Sequence, residues 1–138
     1  MQQLHYHDPS EHTVDGDHPP VEFHFVNKDA DGDLLVIGVF GIVGSDNPSF
    51  DPLVKAAQAD STPTPDTVDL QSMMPDSLLH YAYTGSLTTP PCSEGVQWLV
   101  METPVELGQD QIDTLTSLYE GNNRPVQPLN GREIHVGN

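Results

Sequence analysis

Apolar and polar residues change rhythm several times along the chain, and each change marks a predicted element. Gln3-Leu4-His5-Tyr6-His7 alternates residue by residue, the period of a strand with two unlike faces. Pro9, Gly16 and the pair Pro19-Pro20 then break the pattern into a loop. Val21 to Val26 is rich in β-branched and aromatic residues and predicts a second strand. Asp29 to Asp33 reads as a turn, and Leu34 to Val43 is nearly all apolar, as expected of a strand buried on both faces. Ser49-Phe50-Asp51-Pro52 predicts a helix start, with Asp51 as N-cap, Pro52 in the first turn and an end near Ala59. Residues 60–77 are polar and proline-rich, a loop with a short strand around Val68 to Leu70. Ser86 to Pro91 is another loop, and Val96 to Met101 another strand. From Asp110 to Tyr119, Ile112, Leu115, Leu118 and Tyr119 recur at helical spacing, with Gly121 as the stop. No repeat and no linker divides the chain, so residues 1–138 read as a single domain, mainly β with short helices (α+β).

Composition narrows the picture further. Thirteen prolines and 11 glycines keep helices short. Four Lys and Arg against 21 Asp and Glu leave a formal charge of −17. Such a surface repels phosphate backbones and anionic lipid, so the sequence points to no nucleic-acid partner and no membrane partner. The carboxylates are scattered, as on a solvated surface rather than in an acidic tail. No stretch reaches the ~18 apolar residues of a membrane span. Met1-Gln2-Gln3-Leu4-His5 has neither the basic nor the apolar region of a secretory signal. The single cysteine, Cys92, excludes an internal disulfide.

Seven histidines carry the candidate chemistry: His5, His7, His12, His18, His24, His80 and His135. Residues i and i+2 of a strand share a face, so His5 and His7 project together. His24 lies on a second predicted strand whose pairing could bring it opposite them. Three neutral imidazoles leave a tetrahedral Zn²⁺ with one open position, the arrangement of a catalytic site. Gln3 and Glu22 each stand two residues before a candidate ligand on the same strand face, where an acceptor for that ring's second N–H belongs. A His-x-His pair alone is common and mostly structural. His18, His80 and His135 read as ordinary surface or packing residues. Asp29-Ala30-Asp31-Gly32-Asp33 suggests a calcium loop, but an EF-hand needs Gly at its sixth position and Glu at its twelfth. Here Gly32 is fourth and the twelfth residue is Phe40, so the segment reads as a hairpin turn.

Gln3-Leu4-His5-Tyr6-His7, Pro9-Ser10-Glu11-His12 and Glu22-Phe23-His24-Phe25-Val26 resemble successive metal-site segments of the α-class carbonic anhydrases. The resemblance continues through Tyr83-Thr84-Gly85-Ser86-Leu87-Thr88-Thr89-Pro90-Pro91-Cys92, Glu94 and Trp98, and closes with Asn122 to Leu129, in family order across nearly the whole chain. It implies a central twisted, mostly antiparallel sheet and reversible hydration of carbon dioxide to bicarbonate. His5, His7 and His24 would hold Zn²⁺, with Gln3 supporting His5 and Glu22 supporting His24. Thr88 would accept a hydrogen bond from the attacking hydroxide and donate its own to Glu11, with its N–H and Thr89 toward the substrate. Val26, Val36, Leu87, Val96 and Trp98 would form an apolar wall for carbon dioxide, and His12 and Tyr83 a hydrogen-bonded support behind the ligands.

The resemblance also implies departures. The family domain is longer, so the chain matches its C-terminal portion and is expected to lack early strands and the proton-shuttling histidine. Proton transfer would then fall to water, buffer or a group such as His18. Exposed sheet surface would invite a homodimer. A cysteine at the place of Cys92 pairs with an N-terminal cysteine in many exported members, which suggests a periplasmic or secreted ancestry. Two other readings stand beside the enzyme: a catalytically silent, zinc-binding carbonic anhydrase-like module, and a truncated fragment.

Overall fold

A computed structural model describes residues 1–59, 68–119 and 121–138. Seven strands form one mixed sheet: β1 (Gln3–His7), β2 (Val21–Lys28), β3 (Leu34–Val43), β4 (His80–Ser86), β5 (Glu94–Met101), β6 (Val105–Leu107) and β7 (His135–Gly137). They lie in the order β1-β2-β3-β5-β4-β7, with β6 beside β3 beyond the end of β5. The β1/β2, β2/β3, β4/β5 and β4/β7 pairs are antiparallel, whereas β3 runs parallel to β5 and β6. The helices are α1 (Asp51–Gln58) and α2 (Gln109–Thr116), with a 3₁₀ turn (Pro48–Phe50) leading into α1. None of the helices is long and apolar enough to cross a membrane among the described residues.

Strand periodicity sorts the side chains of β2 and β3 into two layers. Val21, Phe23 and Phe25 of β2 join Val39 of β3, Phe50, Met73, Leu107, Ile112 and Leu115 in a buried core under the helices. Phe23 and Phe50 are fully buried, with ring centroids 4.6 Å apart. At about 1.5–3 kcal/mol for each large apolar side chain buried, this layer is the main source of stability. On the opposite face, Val26, Val36, Phe40, Val96, Trp98 and Val100 form a second buried cluster. Glu22 and His24, the alternate residues of β2, point into that face and are also buried, at 0 % and 1 % exposure.

Several elements differ from the sequence expectations. Val68 to Leu70 is not a strand: Leu70 opens a turn closed by Met73 N to Leu70 O (3.3 Å), with Asp69 Oδ1 accepting from Gln71 N (3.1 Å). The expected loop over residues 60–67 lies outside the described residues. Asp51 is the first residue of α1 and Phe50 occupies the N-cap. The Asp51 carboxylate instead accepts a bond from Gln111 Nε2 (3.0 Å), which ties α1 to the start of α2. Helix α2 ends at Thr116, and Leu118 and Tyr119 are exposed rather than part of its apolar stripe. The aspartate turn forms as expected, its loop N–H groups donating to Asp29 Oδ1 at 2.8–3.0 Å. Strands β4, β6 and β7 were not foreseen.

Candidate metal centre

In the β1/β2 ladder His5 lies directly opposite His24, and His7 opposite Glu22. Cross-strand partners share a face, so the i, i+2 pair on β1 and the single histidine on β2 converge. Their ring centroids lie 5.1 Å (His5–His7), 5.2 Å (His5–His24) and 4.7 Å (His7–His24) apart. One nitrogen from each ring falls within 4.8 Å of the other two.

Each of the two buried rings is fixed through its far nitrogen. His24 Nε2 bonds Glu22 Oε1 at 2.9 Å, and His7 Nδ1 bonds the carbonyl of Asn122 at 3.0 Å. Asn122 is held in turn at the free edge of β1: its N–H donates to Asp8 O (2.9 Å) and its Oδ1 accepts from Asp8 N (2.8 Å). What remains inside is a set of buried polar atoms without partners, namely His5 Nδ1, His7 Nε2 and Glu11 Oε2. Burying such atoms unpaired costs roughly 1–3 kcal/mol each, and a cation on His7 Nε2 would remove that atom's share of the cost. The donor set of three imidazoles suits Zn²⁺. Burial, reinforced by the neighbouring His24 and His7, lowers the His5 pKa to about 4, and burial lowers that of His7 as well. Both rings are therefore neutral at pH 7, the form a metal requires.

Glu22 organises the surroundings. Its Oε1 also receives His12 Nδ1 (2.6 Å), and its Oε2 accepts from Glu11 N (2.9 Å) and His12 N (2.8 Å). Burial alone would raise its pKa, but the hydrogen bonds and charges of His12 and His24 outweigh burial and hold it well below the usual carboxylate range. His12, Glu22 and His24 also lie close enough to share an ion, but these contacts already satisfy them. His12 Nε2 continues to Tyr83 Oη at 2.7 Å, which extends the hydrogen-bonded chain from Glu22 to Tyr83. A Cβ on Gly38 would fall 2.8 Å from Glu22 Oε1, so only glycine leaves room for the carboxylate there.

Glu11 is 7 % exposed; its Oε1 accepts from Arg124 N at 2.8 Å, and its Oε2 lies 3.4 Å from His7 Nε2. No hydrogen bond joins Thr88 to Glu11 among the described residues. Thr88 and Thr89 line an 800 Å³ cavity with the three histidines, Val26, Val36, Leu87 and Trp98. Val96 is buried behind that wall, in the same cluster. Gln3 lines the cavity too but is exposed, and no hydrogen bond ties it to His5. His18 is exposed, with Nδ1 on Ser10 O at 2.6 Å. Sequence reasoning assigned no role to Asn122, Arg124 or Gly38. Only the glycine in an apolar strand carried a local signal, a close approach of another group.

The family described as eukaryotic-type carbonic anhydrase matches residues 1–138. A carbonic anhydrase of Pectobacterium carotovorum is 46 % identical over 97 % of this chain and 57 % of its own length. The α-carbonic anhydrase of Thermovibrio ammonificans, solved in complex with the inhibitor sulfanilamide, superposes with a TM-score of 0.87 at 43 % identity, covering 95 % of this chain and 60 % of that one. A carbonic anhydrase of Chlamydomonas reinhardtii, solved with acetazolamide, also reaches 0.87, at 33 % identity over 96 % and 63 %. The chain thus spans a little over half the length of the relatives it matches. By sequence and fold alike, it belongs to the eukaryotic-type carbonic anhydrase family.

Proposed function

We propose that the chain binds one zinc ion through His5, His7 and His24 and catalyses the reversible hydration of carbon dioxide to bicarbonate and a proton. The observation that carries this reading is the convergence of one imidazole nitrogen from each of three histidines within 4.8 Å, with His7 Nε2 buried and without a hydrogen-bond partner. Held by these three imidazoles, zinc would supply a water acidic enough to be a nucleophile near neutral pH.

The protein's own groups do the rest. Glu22 and the Asn122 carbonyl hold His24 and His7 in place. Glu11 Oε2 is a buried acceptor awaiting a donor. A Thr88 hydroxyl turned onto it would leave the Thr88 oxygen lone pairs facing the nucleophile's proton, and so orient the attack. Thr88 and Thr89 line the same cavity, where the Thr88 N–H and the Thr89 side chain would meet the substrate. Carbon dioxide is small, neutral and apolar, and the Val26, Val36, Leu87 and Trp98 wall receives it without the desolvation cost a charged pocket would impose. Among the described lining residues the only imidazoles are the three proposed ligands, and in the chain tested by itself the released proton would pass to water and buffer.

Zinc content measured together with stopped-flow hydration, at rising concentrations of an imidazole-type buffer, tests the reading. One zinc per chain with hydration that climbs with buffer is the expected result. Bound zinc without hydration at any buffer concentration would overturn it and leave a zinc-binding module.

A further inference from the structure

The two buried histidines of the metal centre are held in unlike ways. His24 leans on a side chain of its own strand, the Glu22 carboxylate. His7 Nδ1 meets a main-chain carbonyl, that of Asn122, 115 residues along the chain. Every residue type carries a carbonyl, so the His7 bond alone gives no reason for asparagine at position 122.

What asparagine adds is a side-chain amide, and its two ends grip the chain on either side of His7. Oδ1 accepts from Asp8 N at 2.8 Å, and Nδ2 donates to Tyr6 O at 3.3 Å. The Asn122 main-chain N–H completes the grip, donating to Asp8 O at 2.9 Å. Gly121, at φ +89°, brings the chain into this position, a conformation that side chains rarely adopt. Two residues further on, Arg124 N donates to Glu11 Oε1 at 2.8 Å. One short strap therefore touches both His7 and the buried Glu11.

We infer that Asn122 is a positioning residue for the metal centre: its side-chain amide clamps Tyr6 and Asp8 around His7 and so fixes the carbonyl that aims the His7 ring. A ring aimed beforehand loses less freedom when it takes an ion, and the affinity rises accordingly. The effect on zinc rests on the three-histidine reading above, whereas the clamp itself does not.

Two substitutions separate the amide from the carbonyl. Asn122→Leu keeps the carbonyl and the approximate size but removes both side-chain bonds. Asn122→Asp keeps the Oδ1 acceptor for Asp8 N and gives up only the longer bond. Competition with a chromophoric chelator should show zinc affinity about tenfold lower in Asn122→Leu, the scale of one net hydrogen bond, and a smaller loss in Asn122→Asp. NMR of the histidine rings in the metal-free chains should show the His7 Nδ1–H signal broadened or lost in Asn122→Leu, with the His24 Nε2–H signal unchanged. In the unsubstituted chain the Asp8 N–H should exchange with solvent at least about tenfold more slowly than in an unstructured peptide. Unprotected exchange at Asp8 would overturn the clamp whether or not either variant folds. An unchanged His7 signal in folded Asn122→Leu, or equal zinc losses in the two variants, would overturn it as well. If the unsubstituted chain takes up no zinc, the three-histidine reading fails, and the ring signals and Asp8 exchange still decide the clamp.

Discussion

Alternate residues of β2 serve opposite ends. Val21, Phe23 and Phe25 enter the dry layer beneath the helices, while Glu22 and His24 enter the opposite face, where a hydrogen-bonded polar group is set beside the Trp98 cluster. The first layer is held by non-directional burial and absorbs conservative change by repacking. The second is held by donor–acceptor geometry, where one wrong atom leaves a buried group unpaired. The comparison separates stability from function: each face can be broken with little direct effect on the other.

The largest effect belongs to the polar face. His24→Ala should abolish stoichiometric zinc binding, checked by elemental analysis after dialysis, because two imidazoles cannot close the site. The fold should persist by circular dichroism, since the core under the helices, built on Phe23, Phe50 and Leu115, does not include His24. On the dry face Phe23→Ala should cost about 3–5 kcal/mol in chemical denaturation, through lost burial and the cavity left beside Phe50. Zinc affinity of the molecules that stay folded should change little. If the two substitutions gave the same phenotype, the division between faces would fail.

A subtler test is Glu22→Gln, which keeps the shape and removes the charge. Its amide nitrogen would meet N–H donors that now find an oxygen, from His24 and His12 on one side or Glu11 and His12 on the other. Zinc affinity should fall by about 10–100-fold, the scale for losing a ligand's outer partner, in competition with a chromophoric chelator. The smallest effect concerns protons. With a folded pKa of about 4 against 6.5 for the free side chain, His5 takes up its proton more readily in the unfolded chain. Its contribution to the metal-free protein is therefore complete above pH 6.5 and lost as the pH falls toward 4. Denaturation midpoints of the metal-free chain at pH 7.5 and pH 5 should show the decline, and His5→Phe should flatten it.

Legibility in the sequence followed the same division. Strands β1 to β3 were readable because their residues alternate or run apolar without a break, but the register that brings His24 opposite His5 was open in the sequence as one outcome of their pairing. Strand β4 escaped because His80 to Ser86 is half exposed, without a clear alternation of apolar and polar residues. Strands β6 and β7 have three residues each, too few to show a period. Asp51 was misplaced because its partner, Gln111, is 60 residues away. In the site, the shared face of His5 and His7 and the place of Glu22 beside His24 were legible from spacing within one strand, whereas Glu11 came only from the family resemblance. The Asn122 carbonyl on His7 and the Arg124 N–H on Glu11 were not, since a backbone group has no residue identity to recognise and lies more than 110 residues away.

Glu22 receives four donors, two from backbone N–H groups of the segment that carries Glu11 and two from histidine rings. That saturation bears on the order of assembly. The loop after β1 cannot dock before β2 is in register, and the His24 ring is not aimed until the carboxylate beneath it is engaged. On the proposed reading, metal capture would thereby be a late event, reporting that the loop after β1 and strand β2 have already met. A chain caught half-folded would offer zinc a poor site, and the ion would act as a proofreader of the finished fold rather than its nucleus.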